Sequence, residues 1–196
     1  MPINTSNIEQ VEMNEGAGGD AGLTDAQARA TPLTVSGTTV LPTAAFSRPA
    51  DTTAYASGDL VANSTTAGSV TPLTVTVARI AAGSGMIRRV RVRKTGTGVT
   101  NASFRVHFYR TSPTVTNGDN GVFLSNQSAN YMAACDVSSM IAFSDGAAGN
   151  GSPNIGSEIN FKLPSGTDIF ALIEARGAYT PVSGETFTLE VEVLQN

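Results

Sequence analysis

Apolar and polar residues alternate along two separate stretches of this chain, residues 102–110 and 186–194. A period of two directs alternate side chains to opposite faces of a strand, so both stretches predict half-buried antiparallel strands. The apolar set of each strand is expected to face one shared core. That predicted core consists of Phe104, Val106, Phe108, Phe187, Leu189, Val191 and Val193.

Shorter apolar runs separated by small-residue turns predict further strands, about eight in all. They fall at residues 70–80, 86–94, 122–124, 131–135, 140–143, 158–163 and 168–175. Gly96-Thr97-Gly98 is expected to turn residues 86–94 back into residues 102–110. With no long helical pattern, residues 46–196 predict an all-β, antiparallel two-sheet sandwich. A jelly roll is the first choice because its strand number fits, and an immunoglobulin-like sandwich is the second.

Residues 1–45 have a different composition, which predicts an extended N-terminal arm. The first 30 residues are poor in large apolar side chains and rich in glycine, so they bury too little surface to fold alone. The arm is therefore expected to pack away from its own sandwich, on another protein molecule. Its sparse apolar anchors are Ile3, Ile8, Val11, Met13, Leu33, Val35 and Leu41.

Composition narrows the choice of partners. The formal net charge is −4, and the chain has one Cys, one His and no Trp. An acidic protein of this kind is not expected to bind nucleic acid, and one Cys cannot form an internal disulfide. The sequence shows no run of 18 apolar residues and no secretory signal at its start, so neither a membrane span nor secretion is expected.

The reactive residue types do not combine into a site. His107 is interpreted as a surface or interface histidine, and Cys135 as a small buried core residue. The loop 117–121 has oxygen ligands but too few carboxylates for calcium, so it is interpreted as a hairpin turn. Glu190 and Glu192 are interpreted as part of a solvated or salt-bridged strand face and not as a catalytic glycosidase pair. The sequence therefore predicts no enzyme, cofactor, metal or small-molecule substrate.

A row of arginines stands out against this background. Arg89, Arg91 and Arg93 project from one face of a predicted strand, and Arg105 is expected on the strand next to it. Two interpretations remain open: internal pairing with Glu190 and Glu192, or contact with an acidic partner, including the acidic arm of a neighbouring copy. The candidate interface residues are Arg89, Arg91, Arg93, Arg105, Glu9, Glu12 and Glu15.

The segment Arg48-Pro49-Ala50-Asp51-Thr52-Thr53-Ala54-Tyr55-Ala56-Ser57-Gly58-Asp59-Leu60-Val61 carries a family resemblance. It is similar to a phrase at the start of β-sandwich virion proteins of tailed bacteriophages. The resemblance extends from about residue 46 to the C-terminal end, with weaker similarity at residues 86–93 and 186–194. It implies a capsid decoration, or cement, protein with a jelly-roll fold.

Such a structural protein binds the outside of the capsid where subunits of the major capsid protein meet, and stabilises the head. The resemblance further implies a homotrimer located in the virion and made in the host cytoplasm, with no catalytic residues to transfer. Apolar loops around Tyr131-Met132 and Ala178-Tyr179 are expected to close the trimer. The alternative is another virion module, such as a head-spike, tail or fibre protein that binds a glycan or receptor.

Overall fold

The computed structural model describes residues 37–153 and 158–196, which form two antiparallel β-sheets packed face to face. The larger sheet contains β1 (Thr38–Val40), β2 (Thr43–Ser47), β5 (Ser84–Lys94), β8 (Ile141–Phe143), β9 (Gly146–Gly151), β10 (Ile159–Lys162) and β12 (Thr186–Gln195). The smaller sheet contains β3 (Leu60–Val61), β4 (Leu73–Thr76), β6 (Phe104–Tyr109), β7 (Tyr131–Val137) and β11 (Asp168–Ala175). The helix in this part of the chain is one 3-10 turn, Ser128–Asn130.

The strand order is that of a jelly roll. In the larger sheet β12 lies between β5 and the pair β1 and β2, while β9 and β10 share the far edge of β5 and β8 lies beyond β9. In the smaller sheet β11 lies between β6 and the pair β3 and β4, with β7 beyond β6. The eight principal strands are β2, β4, β5, β6, β7, β9, β11 and β12. Each connection between consecutive members of this set crosses from one sheet to the other, except the connection from β6 to β7. The predicted sandwich is confirmed.

The predicted core is also confirmed, since all seven of its side chains are fully buried between the sheets. Phe104 of the smaller sheet meets Phe187 of the larger sheet edge to face, with ring centroids 5.3 Å apart. Burial of an apolar side chain of this size stabilises a fold by about 1.5–3 kcal/mol. Contacts of this kind hold the two sheets together.

The turn predicted at Gly96-Thr97-Gly98 does not form a hairpin. Residues 95–103 carry the chain from β5 in the larger sheet to β6 in the smaller one, where β6 pairs with β7 and β11. Arg105 is therefore not on a strand adjacent to Arg89, Arg91 and Arg93. Alternation shows which side chains face the core, but it does not show whether two strands share a sheet or face each other across it.

A β-bulge sets the direction of the arginine row. Ile87 pairs with Val193 and Arg89 pairs with Glu192, so Arg88 is an extra residue between them. Because Ile87 is buried, strict alternation would also have turned Arg89 toward the core. The extra residue shifts the pattern by one, and the following arginines reach the outer face of the sheet.

The sandwich begins before residue 46, because β1 and β2 both pair with β12. The expectation that residues 38–45 pack away from their own sandwich is therefore wrong. Phe46 stacks on Phe187 with ring centroids 5.8 Å apart, which ties β2 to the core, whereas Leu41, an expected anchor, is 53% exposed. The other anchors and the three arm glutamates lie outside the described residues.

A second, smaller apolar cluster covers the outer face of the smaller sheet. Residues 111–127 pass over this face, and residues 122–124, predicted as a strand, form only an isolated bridge from Val122 to Asp59. The buried members of the cluster are Leu60, Ala62, Tyr109, Val115 and Leu172. Side chains on both faces of β6 are thus buried, which matters for His107 below.

Candidate interaction surface

An open depression of about 480 Å³ lies on the outer face of the larger sheet. Its floor is β9, where Gly146 and Ala148 carry almost no side chain. One wall is Ile141 and Phe143 of β8, and the opposite wall is Arg91 and Arg93 of β5. We call this depression the β8–β5 groove.

The groove exists because Gly146 and Ala148 on the outer face of β9 are small, and the inner face of β9 is closely packed as well. A Cβ atom on Gly149 would lie 2.5 Å from the carbonyl oxygen of Ser139, and one on Gly151 would lie 2.4 Å from that of Asp136. The end of β7 and the residue Ser139 that follows it therefore pack directly on the inner side of β9. Side chains cannot be added to these glycines without moving the backbone.

The described residues neutralise only part of the arginine row on the outer face of β5. Arg89 pairs with Glu192 at 3.0 Å, and Arg91 pairs with Glu190 at 3.3 Å. Internal pairing, one of the two interpretations left open by the sequence, is thus observed for these two arginines. Both pairs are partly exposed and so contribute only about 0–1 kcal/mol each.

Arg93 differs from its neighbours on the same wall. It is exposed, and its cross-strand neighbours are Thr188 and Ala148, which carry no charge. Among the described residues, no carboxylate lies within ion-pair distance of its guanidinium. Arg93 is thus a cation of this wall that a partner can neutralise.

The apolar wall lies at the edge of the sheet. Ile141 is 67% exposed and Phe143 is 55% exposed, both on the outer face. β8 pairs with β9 on one side, and no described strand pairs with its other side. Large exposed apolar side chains on an open edge strand are a recognised mark of protein contact.

No protein-family model, curated protein or solved structure matches this chain. Its function is therefore inferred from its own residues and from the sequence resemblance.

Arg105 is not part of the groove. Its guanidinium donates to both carboxylate oxygens of Asp136, at 2.6 and 2.8 Å, on the outer face of the smaller sheet. This pair lowers the pKa of Asp136 below its ordinary value, chiefly through the hydrogen bond from Arg105. Of the four candidate arginines, Arg91 and Arg93 line the groove and Arg89 lies farther along the same strand face.

His107 is buried, so its interpretation as a surface or interface histidine is wrong. Its Nε2 lies 2.7 Å from a carboxylate oxygen of Glu174, and Phe123 stacks on the imidazole at a centroid distance of 4.3 Å. Residues 111–127, which include Phe123, provide this cover. Burial lowers the pKa of His107 below its ordinary value of 6.5, although Glu174 opposes the change.

Cys135 lies in the core as expected, and burial raises the pKa of its thiol to about 12. Within residues 37–153 and 158–196, no three His, Cys, Asp or Glu side chains come together as metal ligands. No helix in the same part of the chain is long and apolar enough to cross a membrane.

Sequence reasoning missed a buried ion network in the segment that carries the family resemblance. Arg48 donates to Asp119 at 2.7 Å, and both side chains are fully buried. Tyr55 accepts a hydrogen bond from Arg48 and donates one to Asp119 at 2.7 Å. Burial opposes the charge on Arg48, but Tyr55 and Asp119 together hold its pKa above the ordinary value. The loop at residues 117–121, interpreted from the sequence as a plain hairpin turn, therefore supplies the carboxylate of Asp119 to this buried network.

A second network closes the end of β5. Lys94 donates to the carbonyl oxygens of Gly96 and Gly98 at 2.7 and 2.5 Å, and to a carboxylate oxygen of Glu185 at 3.1 Å. The hydroxyl of Tyr179 accepts from Lys94 and donates to Glu185. Tyr179, expected to help close the trimer, is only 1% exposed, so its side chain is not available to a partner, whereas the neighbouring Ala178 is exposed.

Both networks had a signal in the sequence. Lys94 follows Val92 by two positions, and Arg48 follows Phe46 by two positions, so alternation places each cation on the core side of its strand. A charged side chain at a core-facing position requires a buried partner of opposite charge. The partners, Asp119 and Glu185, lie far away in the sequence and carry no pattern that identifies them.

Proposed function

We propose that this chain is a structural virion protein that binds the outside of a tailed-bacteriophage capsid and stabilises the head. The observation that supports binding to another protein is the β8–β5 groove, with its exposed apolar wall and Arg93, which pairs with no carboxylate of residues 37–153 and 158–196. The capsid as the partner comes from the sequence resemblance at residues 48–61.

The shape of the groove favours a protein partner over a small molecule. Small-molecule sites are concave pockets that enclose most of the ligand, whereas this depression is open along the sheet surface. Its two walls also differ in chemistry, since one is apolar and the other cationic. A partner of mixed apolar and acidic character fits both walls at once.

The buried networks suit a protein that reinforces a shell. Arg48, Tyr55 and Asp119 tie the loop after β2 to the loop at residues 117–121, and Lys94 ties the end of β5 to Tyr179 and Glu185. These contacts fix the loops from within the protein and add to the hydrogen bonds that Asn120 makes to the backbone of residues 53 and 54. In this proposal the sandwich is a rigid module placed at junctions between major capsid subunits, acting as a homotrimer.

The test is to add the purified protein to heads assembled without it. We expect saturable co-sedimentation with the heads, sandwich-shaped density on the outer shell in a cryo-EM map, and heads that withstand heating better after addition. Absence of binding to heads would contradict the proposal, and density on a tail or fibre would favour the alternative virion module.

Light scattering on the same preparation tests the trimer separately. We expect the mass of three chains at micromolar concentration. The mass of one chain would remove the homotrimer from the proposal, while capsid binding would still be decided by sedimentation.

A further inference from the structure

We propose that the β8–β5 groove binds an extended segment of the partner, in which apolar side chains alternate with polar ones and a carboxylate meets Arg93. This inference rests on the proposed function, because it names the chemistry of the partner at the same surface. It follows from the spacing of the walls, their unlike chemistry and the pairing state of each arginine.

The width of the groove suits one extended chain. β8 and β5 are separated by β9 alone, so their backbones lie two strand spacings apart, roughly 10 Å. Ile141, Ala148 and Arg93 form one cross-strand row, so the apolar wall, the floor and the cation lie directly across from one another. A chain that runs along the floor of Gly146 and Ala148 contacts both walls.

An extended chain places successive side chains on opposite sides, with a period of two. In this groove, one set of side chains faces Ile141 and Phe143, and the other set faces Arg91 and Arg93. The occupant with the best fit is therefore apolar at every second position and carries an acidic residue between them. An alternating partner segment thus presents apolar side chains to the apolar wall and polar or acidic side chains to the cationic wall.

The charges in the groove specify where the carboxylate binds. Arg91 is already paired with Glu190, and Lys94 is buried against Glu185, so neither needs a further anion. Asp145 also lines the depression, at the turn between β8 and β9, and it repels a second acidic group at that end. The groove therefore binds one carboxylate of the partner, and that carboxylate lies opposite Arg93.

Synthetic peptides test this inference on the full-length protein. The probe has about seven residues, enough to cover the roughly 20 Å of β9, and alternates valine with threonine around one central glutamate. The control peptide has lysine in place of glutamate. We expect saturable fluorescence anisotropy with the glutamate peptide, weakening as salt is added, and affinity at least about tenfold lower for the lysine peptide.

Variants locate the binding. Arg93→Glu is expected to reverse the preference, so that the lysine peptide binds better than the glutamate peptide. Ile141→Ser is expected to weaken both peptides, whereas Ile80→Ser is its matched control, because Ile80 is also 67% exposed but does not line the groove. Arg88→Glu, at the bulge, is the matched charge control and should leave binding unchanged.

The outcomes separate this inference from the proposed function. Equal binding of the two peptides, no binding of either at millimolar concentration, or an unchanged preference in Arg93→Glu would overturn the inference. Heads that bind Arg93→Glu and Ile141→Ser as fully as the wild type would overturn it as well, while leaving capsid binding intact. Failure of the wild-type protein to bind heads refutes the function instead.

Discussion

Replacing Asp119 by alanine should destabilise the sandwich more than any surface substitution. Its carboxylate accepts hydrogen bonds from the Arg48 guanidinium, the Tyr55 hydroxyl and the backbone N–H of Ala62, each at 2.7 Å. Asp119→Ala removes the acceptor of these three buried donors. It also leaves the buried charge of Arg48 with only the longer, 3.4 Å contact to the partly exposed carboxylate of Asp51.

Breaking a buried ion pair from one side costs about 3–5 kcal/mol. A domain of this kind has a total stability of about 5–15 kcal/mol, so the variant is expected to lose a large fraction of it. Urea unfolding followed by circular dichroism measures the free energy directly. The midpoint should fall while the slope stays unchanged, since the same surface is exposed on unfolding.

Asp136→Ala provides the matched control, because it removes the carboxylate of another arginine pair. The side chains of Arg105 and Asp136 are 33% and 53% exposed, so water replaces the lost partner and the expected cost is about 0–1 kcal/mol. Adding Arg48→Met to Asp119→Ala should restore part of the stability, because the stranded charge is then gone. If Asp119→Ala cost no more than Asp136→Ala, the buried network would not be a source of stability.

Two further predictions concern ionisable groups. His107 faces Glu174, Tyr131, Arg105 and Asp136, and its folded pKa is lower than 6.5, so the unfolded chain binds more protons as the pH falls below 6.5. The free energy of unfolding should therefore decrease on acidification below pH 6.5. His107→Gln should make that decrease less steep. An equally steep decrease in the variant would show that His107 is not its source. The thiol of Cys135, with a pKa of about 12, should not react with a thiol reagent at neutral pH until urea unfolds the protein, and rapid reaction of the native protein would refute its burial.

Alternation in the sequence predicted which residues form the core, since Phe104 and Phe187 both lie where period two places them. It did not predict that β5 and β6 lie in different sheets, because two facing strands bury the same pattern as two adjacent ones. Nor did it reveal the bulge at Arg88, which depends on the register against β12.

The sequence predicted the residues of both walls of the groove but not the groove itself. The arginine row and the short strand at residues 140–143 were predicted separately, but nothing indicated that they lie in one sheet with a single strand between them. The strand between them, β9, reads Gly-Ala-Ala-Gly-Asn-Gly, which has neither alternation nor β-branched side chains. Its inner face packs on Asp136 of β7 and on Ser139, and nothing in the sequence of β9 identifies these partners.

The central position of β12 has a consequence for how the protein is made. This strand is the last in sequence of the twelve that the structure describes, yet it pairs with β5 along most of its length and with both β1 and β2. A chain translated only as far as residue 185 has no middle for its larger sheet, and the apolar faces of its other strands stay open. The sandwich must therefore close after β12 has left the ribosome, and until then the nascent chain is exposed to aggregation and to proteases. A premature stop within β12 would remove the centre of the fold, whereas a truncation at an edge strand would remove only its margin.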